Sequence, residues 1–146
     1  MRYTRPTDGL DKDARLHIEG APNKGFRPDC NNPDARPPAL VVIESPYAGD
    51  IQANTAYARS CLLDSLQRGE APIVSHLLHT QVLDDRNKFE RKWGIEAGLA
   101  WYPVAGICAV YTDYGISDGM KAGIARAELH GVQVEYRRLD SAEVAA

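Results

Sequence analysis

The side chains singled out as candidates for acid–base or nucleophilic chemistry lie beyond residue 39. Seven carboxylates are candidates to reach a common site: Glu44, Asp50, Asp84, Asp85, Glu90, Glu96 and Asp113. Such work at neutral pH requires a carboxyl or imidazole whose surroundings shift its protonation. Glu96 is singled out because it lies in Trp93-Gly94-Ile95-Glu96-Ala97-Gly98-Leu99-Ala100-Trp101, which as a helix is apolar over most of its circumference. A lone carboxylate in such a helix is costly unless it is paired or functional, and Arg91, about one turn back, is the candidate partner. His76, in Ser75-His76-Leu77-Leu78-His79, is placed at a strand end. There it serves either as a proton donor or hydrogen bond to a ligand, or simply as packing for its loop. His79 and His130 are expected to be solvated. No His, Cys, Asp and Glu spacing suits a metal, and neither a metal nor a cofactor is expected.

Two loops supply the remaining polar groups. Glu44-Ser45-Pro46-Tyr47-Ala48-Gly49-Asp50 opens a helix. Its small residues let the backbone approach a ligand, and the helix N-terminus offers unpaired N–H groups to an anion; otherwise it is a plain capped turn. Asn54 lies one turn inside that helix on its apolar stripe, where an amide must find partners in the loop backbone or in a ligand. The second loop, Tyr111-Thr112-Asp113-Tyr114-Gly115-Ile116-Ser117-Asp118-Gly119-Met120, carries Ser117 as a helix cap with Gly119 close behind. It offers a cradle for a phosphate or a ribose, although it is neither a Walker loop nor a GxGxxG turn.

The elements that must position these loops follow from periodicity. Ala39-Leu40-Val41-Val42-Ile43 is a continuous apolar run, as expected of a buried parallel strand. Asp50 caps a helix to about Arg68, with Asn54, Tyr57, Ala58, Cys61, Leu62 and Ser65 on one stripe and Gly69 at its end. Ala71 to His76 reads as a second strand, residues 87–102 as a helix in spite of Gly94 and Gly98, and Val104 to Tyr111 as a third strand. Ile116 to His130 is a helix closed by Gly131, and Val132 to Tyr136 is a last, alternating strand. Strands alternating with helices predict an α/β fold, a flavodoxin-like three-layer sandwich with a small parallel sheet of four or five strands in the order 2-1-3-4. Ligands of such sheets sit beyond the carboxyl ends of the strands, at the switch point between the first and third.

Composition bounds the rest. The chain has 146 residues, 44% of them apolar and 25% charged, with a net charge of -3. That balance argues against a sequence-blind binder of duplex nucleic acid. No run is long enough to span a membrane, and the N-terminus does not read as a signal peptide. Cys30, Cys61 and Cys108 form neither a disulfide framework nor a zinc cluster, so a reducing, cytoplasmic setting is expected. Six of the nine prolines fall within residues 1–38, a segment with no sustained period. It is expected to be an extended or disordered leader, preceding a domain at 39–138 and a tail at 139–146. The alternative is an arm lying on its own domain or on a neighbouring subunit. Four strands leave sheet edges exposed, so a homodimer or higher homo-oligomer is expected.

The runs Val41-Val42-Ile43-Glu44-Ser45-Pro46-Tyr47-Ala48-Gly49-Asp50 and Tyr111 to Met120, with Asn54, Ala127 and Gly131-Val132-Gln133-Val134, resemble the opening and closing units of the nucleoside 2-deoxyribosyltransferase-like superfamily. With SPYAGD, SHLL and GISDGM together, residues 39–138 are similar to a small phage and bacterial branch of it, a resemblance that implies a bacterial or phage-infected cell. The resemblance implies a nucleoside or nucleotide ligand and chemistry at an N-glycosidic bond. A glutamate attacks the anomeric carbon and an acid protonates the departing base. By this reading Ser45, Tyr47, Gly49, Asp50, Asn54, His76, Ser117, Gly119 and Met120 bind the ligand. The superfamily's nucleophilic glutamate, however, falls on Gly123. Another carboxylate, Glu96, Glu44 or Asp113, then takes its role, with Glu96 and Asp113 the catalytic pair expected; the alternative is a non-catalytic nucleotide-binding or sequestering protein. Gly123 is also expected to widen the pocket.

Overall fold

The computed structural model describes residues 37–139. Strand β1 (Leu40–Glu44) is buried on both faces, as its apolar run requires. Helix α1 (Ile51–Gln67) follows, with Asp50 Oδ1 accepting from the Ala53 N–H at 3.0 Å, so the first turn is capped. Next come β2 (Ala71–Ile73), the short α2 (Ser75–Leu78) and a 3-10 turn at His79–Gln81. Helix α3 (Lys88–Leu99) is capped by Asn87 and leads to a second 3-10 turn, Tyr102–Val104. Strand β3 (Ile107–Tyr111), helix α4 (Asp118–Leu129) and strand β4 (Gln133–Arg137) complete the order.

All strand pairs are parallel, and the sheet order is β2-β1-β3-β4, as the alternation of elements predicts. Val42 sits at the centre of the register, opposite Ile73 on one side and Cys108 on the other. Side chains alternate across the sheet, so each face has its own core. Val41, Ile43, Ala109 and Tyr111 pack under Tyr57, Ala58 and Cys61 of α1. Val42, Cys108 and Val110 pack under Met120 and Ala127 of α4 and under Tyr102. Helix, sheet and helix layers make the flavodoxin-like sandwich.

Three features differ from the sequence expectation. Strand β2 ends at Ile73, so His76 belongs to α2 rather than to a strand end. Strand β3 begins at Ile107, because Pro103 lies in a 3-10 turn and the Gly106 N–H is used on the Leu40 carbonyl at 2.8 Å. The third difference is in α3, whose small residues face inward. A Cβ at Gly98 would come within 2.8 Å of both Cβ and Oγ of Ser75, so glycine is what lets α3 lie directly on α2. The large residues consequently face outward: Phe89 is 74% and Trp93 59% exposed. Residues 1–36 and 140–146, which hold nearly all of the expected leader and tail, lie outside the described residues. Among the described residues no helix is long and apolar enough to cross a membrane.

Candidate active site at the carboxyl end of the sheet

Strand alternation puts Glu44, the last residue of β1, on the same face as Val42, toward α4. Its carboxyl fills the space beside Gly123. A Cβ there would collide with Glu44 Oε1 and Cδ and lie 2.7 Å from the Tyr102 hydroxyl. Gly123 therefore does not widen the pocket, because Glu44 occupies the room it leaves. Tyr102 is fully buried and its hydroxyl donates to Glu44 Oε1 at 2.5 Å, with Cys108 Sγ 3.7 Å from the same hydroxyl. Burial raises the Glu44 carboxyl to about 7, against the opposing pull of the Tyr102 hydrogen bond. Burial also raises the Tyr102 phenol, with the Glu44 charge adding to it, and raises the Cys108 thiol to about 11. Cys108 is thus a packed, unreactive thiol.

The next residue, Ser45, is buried, and its Oγ is 3.1 Å from His76 Nε2. Burial lowers His76 to about 4, so its ring is neutral at pH 7. The Tyr47 ring lies against it, with centroids 5.5 Å apart. Beyond these groups opens a cavity of about 740 Å³, bounded by the loop after β1, by α2 and its 3-10 turn, by the inner face of α3 and by the start of α4. That volume lies within the range of small-molecule sites. Ser117 accepts from the Met120 N–H at 3.3 Å and so caps α4 as expected.

Of the residues expected to bind a ligand, Ser45, Tyr47, His76, Ser117, Gly119 and Met120 line the cavity together with Glu44. Gly49, Asp50 and Asn54 do not line it. Gly49 turns the loop at φ +96°, Asp50 caps α1, and the Asn54 amide donates to the Tyr47 and Ala48 carbonyls at 3.0 and 2.9 Å. Their work is to shape the loop. Neither carboxylate of the expected catalytic pair enters the cavity. Glu96 is exposed on α3, and Arg91, its candidate partner, pairs with Asp85 at 2.9 Å instead. Asp113 accepts from the Tyr57 hydroxyl at 2.5 Å and from the Leu139 N–H at 3.1 Å, on the α1 face of the sheet. His79, expected in solvent, is half-buried at the cavity wall, and its buried Nδ1 has no hydrogen-bond partner among the described residues.

Tyr102 is the participant with no local signal, lying 58 residues from the carboxyl it contacts. Ser75 and Gly98 are further wall residues legible only once α2 and α3 are seen together. Among the described residues, no group of three His, Cys, Asp or Glu side chains is placed to hold a metal, and Cys61 and Cys108 are buried and unpaired; Cys30 lies outside them.

Residues 39–137 match the family model described as "Domain of unknown function (DUF7768)". The match covers well over half of the chain, which belongs to that family. No curated protein gives a significant match.

Proposed function

We propose that this member of the DUF7768 family binds a nucleoside or nucleotide in the cavity beside Glu44 and cleaves or transfers at its N-glycosidic bond. The resemblance of its loops to the nucleoside 2-deoxyribosyltransferase-like superfamily suggests the substrate class. The observation that carries the reading is the Glu44 carboxyl, held at the cavity's inner wall with a pKa of about 7. A carboxyl of that acidity is present in both forms at neutral pH and suits either attack at an anomeric carbon or proton transfer. The resemblance puts the superfamily's nucleophile, which comes from the last helix, at Gly123, and the Glu44 carboxyl reaches the space beside that glycine from β1. The Glu44 carboxyl beside Gly123 is what supports giving it the nucleophile's role.

The test is to incubate pure protein with a panel of nucleosides and 5′-nucleotides and follow base release. Glu44→Gln should abolish release while leaving ligand-induced thermal stabilisation intact. A second reading, a non-catalytic binder or sequestering protein, is favoured by the exclusion of Glu96 and Asp113, the expected catalytic pair, from the cavity. Thermal stabilisation without release would select it. Neither release nor stabilisation would remove both readings. Self-association in the cytoplasm belongs to the same proposal, since Phe89 and Trp93 give α3 an exposed aromatic face of the kind that oligomers cover; sedimentation of the full chain tests it.

A further inference from the structure

The charges around the cavity are lopsided. Arg91 is the only lysine or arginine among the described residues that line it, and its guanidinium is taken by Asp85 at 2.9 Å. Asp118, at the start of α4, is matched by Lys121 at 2.8 Å. Two lining carboxyls have no ion-pair partner among the described residues. One is Glu44, bound by a phenol; the other is Glu90, which accepts from the Asp84 N–H at 2.6 Å and from the Asn87 amide at 3.1 Å. A phosphate brought into this space would meet two carboxyls without an ion-pair partner and, as the single cation among the described lining residues, a guanidinium already paired with Asp85. The start of α4 offers little relief, since Asp118 stands in its first turn and the Ser117 hydroxyl is already engaged with Met120 N–H.

The inventory of proton donors points the same way. Breaking an N-glycosidic bond leaves an electron pair on the base nitrogen, and a neutral base must be protonated to accept it. Glu44 cannot attack the sugar as a carboxylate and donate that proton in the same step. Of the two imidazoles that line the cavity among the described residues, His76 is tied to Ser45 and uncharged at neutral pH, and His79 keeps its Nδ1 buried out of reach of a ligand. A base already carrying positive charge needs no donor.

We infer that the cavity takes an unphosphorylated nucleoside whose base bears a fixed positive charge, such as an N-alkylated purine or a pyridinium riboside, in preference to neutral nucleosides or nucleotides. This rests on the reading of the site as one that acts on N-glycosidic bonds. A Glu44 carboxylate oxygen forms a bond to the anomeric carbon as the C–N bond breaks. The bonding pair passes to the ring nitrogen, and the base leaves uncharged. Water then attacks the anomeric carbon, Glu44 departs as a carboxylate, and one proton is released to solvent.

The experiment compares 7-methylguanosine, guanosine and 7-methylguanosine 5′-monophosphate. Release of the base is divided in each case by the spontaneous rate in buffer, because cationic nucleosides are intrinsically labile. The enhancement for 7-methylguanosine should exceed that for guanosine by at least about ten-fold in kcat/KM, and the 5′-phosphate should reduce it by a similar factor. Equal or greater enhancement for guanosine, or for the phosphorylated compound, overturns this inference and leaves the glycosidic reading standing. Absence of release and of thermal stabilisation with all three overturns both.

Discussion

Glu44 and Glu70 are drawn out of water on opposite faces of one sheet, and burial pushes both toward the neutral form. They end in different states because their partners differ. On the α1 face, Glu70 receives both terminal nitrogens of Arg137 at 2.7 Å and the Ser65 hydroxyl at 2.6 Å. Arg137, itself buried, also holds Glu135 at 2.7 Å. Against the upward push of burial, these hydrogen bonds and the guanidinium charge leave Glu70 below the ordinary carboxylate range. On the α4 face, Glu44 has one phenol and no cation among the described residues, so burial wins and the carboxyl rises to about 7. The neutralised glutamate ties the end of α1 to β4 and does not line the cavity; the unneutralised one does. Fold stability and reactivity have been assigned to two copies of the same side chain by the presence or absence of one arginine.

The comparison breaks if Arg137 is not what separates them. Arg137→Ala leaves Glu70 with the Ser65 hydroxyl as its hydrogen-bond donor and Glu135 with only the Gln133 amide, neither matched by a close cation among the described residues. Urea unfolding should show a loss of about 3–5 kcal/mol, the largest effect predicted. Exchanging the pair together, as Arg137→Met with Glu70→Leu, should recover most of it, because a matched apolar pair removes both desolvation penalties. A single-variant loss below about 1 kcal/mol would place this network among weak surface pairs and dissolve the contrast.

Glu44→Gln sharpens the other half. The folded protein holds the Glu44 proton up to about pH 7, whereas the unfolded chain releases it near 4.5. The contribution of Glu44 is therefore fully present below the lower value and is lost as pH rises through the upper one. The amide introduced by the substitution does not titrate. The variant should match the wild type near pH 4.5 and exceed it by about 2 kcal/mol at pH 8, below the roughly 3 kcal/mol limit of the shift because the carboxyl borders the open cavity. Glu70, with its lowered pKa, shapes the opposite limb. Its stabilisation is present above the unfolded value and fades as pH falls through the folded one. Stability curves of wild type and variant that run parallel from pH 5 to 8 would sink the assignment.

How far the sequence carries this contrast depends on separation along the chain. Sheet order follows from short apolar runs separated by helical stripes, and the Asp50 and Ser117 caps follow from residues adjacent to the turns they close. Those signals are local. The decisive contacts are not: Glu44 and Tyr102 are 58 residues apart, Glu70 and Arg137 are 67 apart, and Asp113 meets Tyr57 across 56. Periodicity reports how apolar a helix is but not which face turns inward. Around α3, Trp93 and, just past its end, Trp101 suggest a buried helix around Glu96, yet Gly98 is the residue pressed on Ser75 and the tryptophans are exposed. The same kind of glycine signal explains why Gly123 reads as empty space. Its vacancy is filled by a side chain 79 positions earlier, which no local pattern announces.

The finest distinction concerns the single hydrogen bond Glu44 retains. The Tyr102 hydroxyl stabilises the charged carboxylate and so pulls its pKa down, short of cancelling the effect of burial. Tyr102→Phe keeps the ring in its buried place on Val42, Cys108 and Val110 and removes only that donor. With burial unopposed, the Glu44 titration should move further up, by about one pH unit, the equivalent of about 1.4 kcal/mol for a hydrogen bond to a charged group. The measurement is the midpoint of the pH-dependent stability change, read against Glu44→Gln as the non-titrating baseline. An unmoved midpoint would mean the phenol only fills space. A downward movement would mean that Tyr102 favours the protonated acid, and the difference between the two glutamates would then owe something to the phenol as well as to the missing arginine.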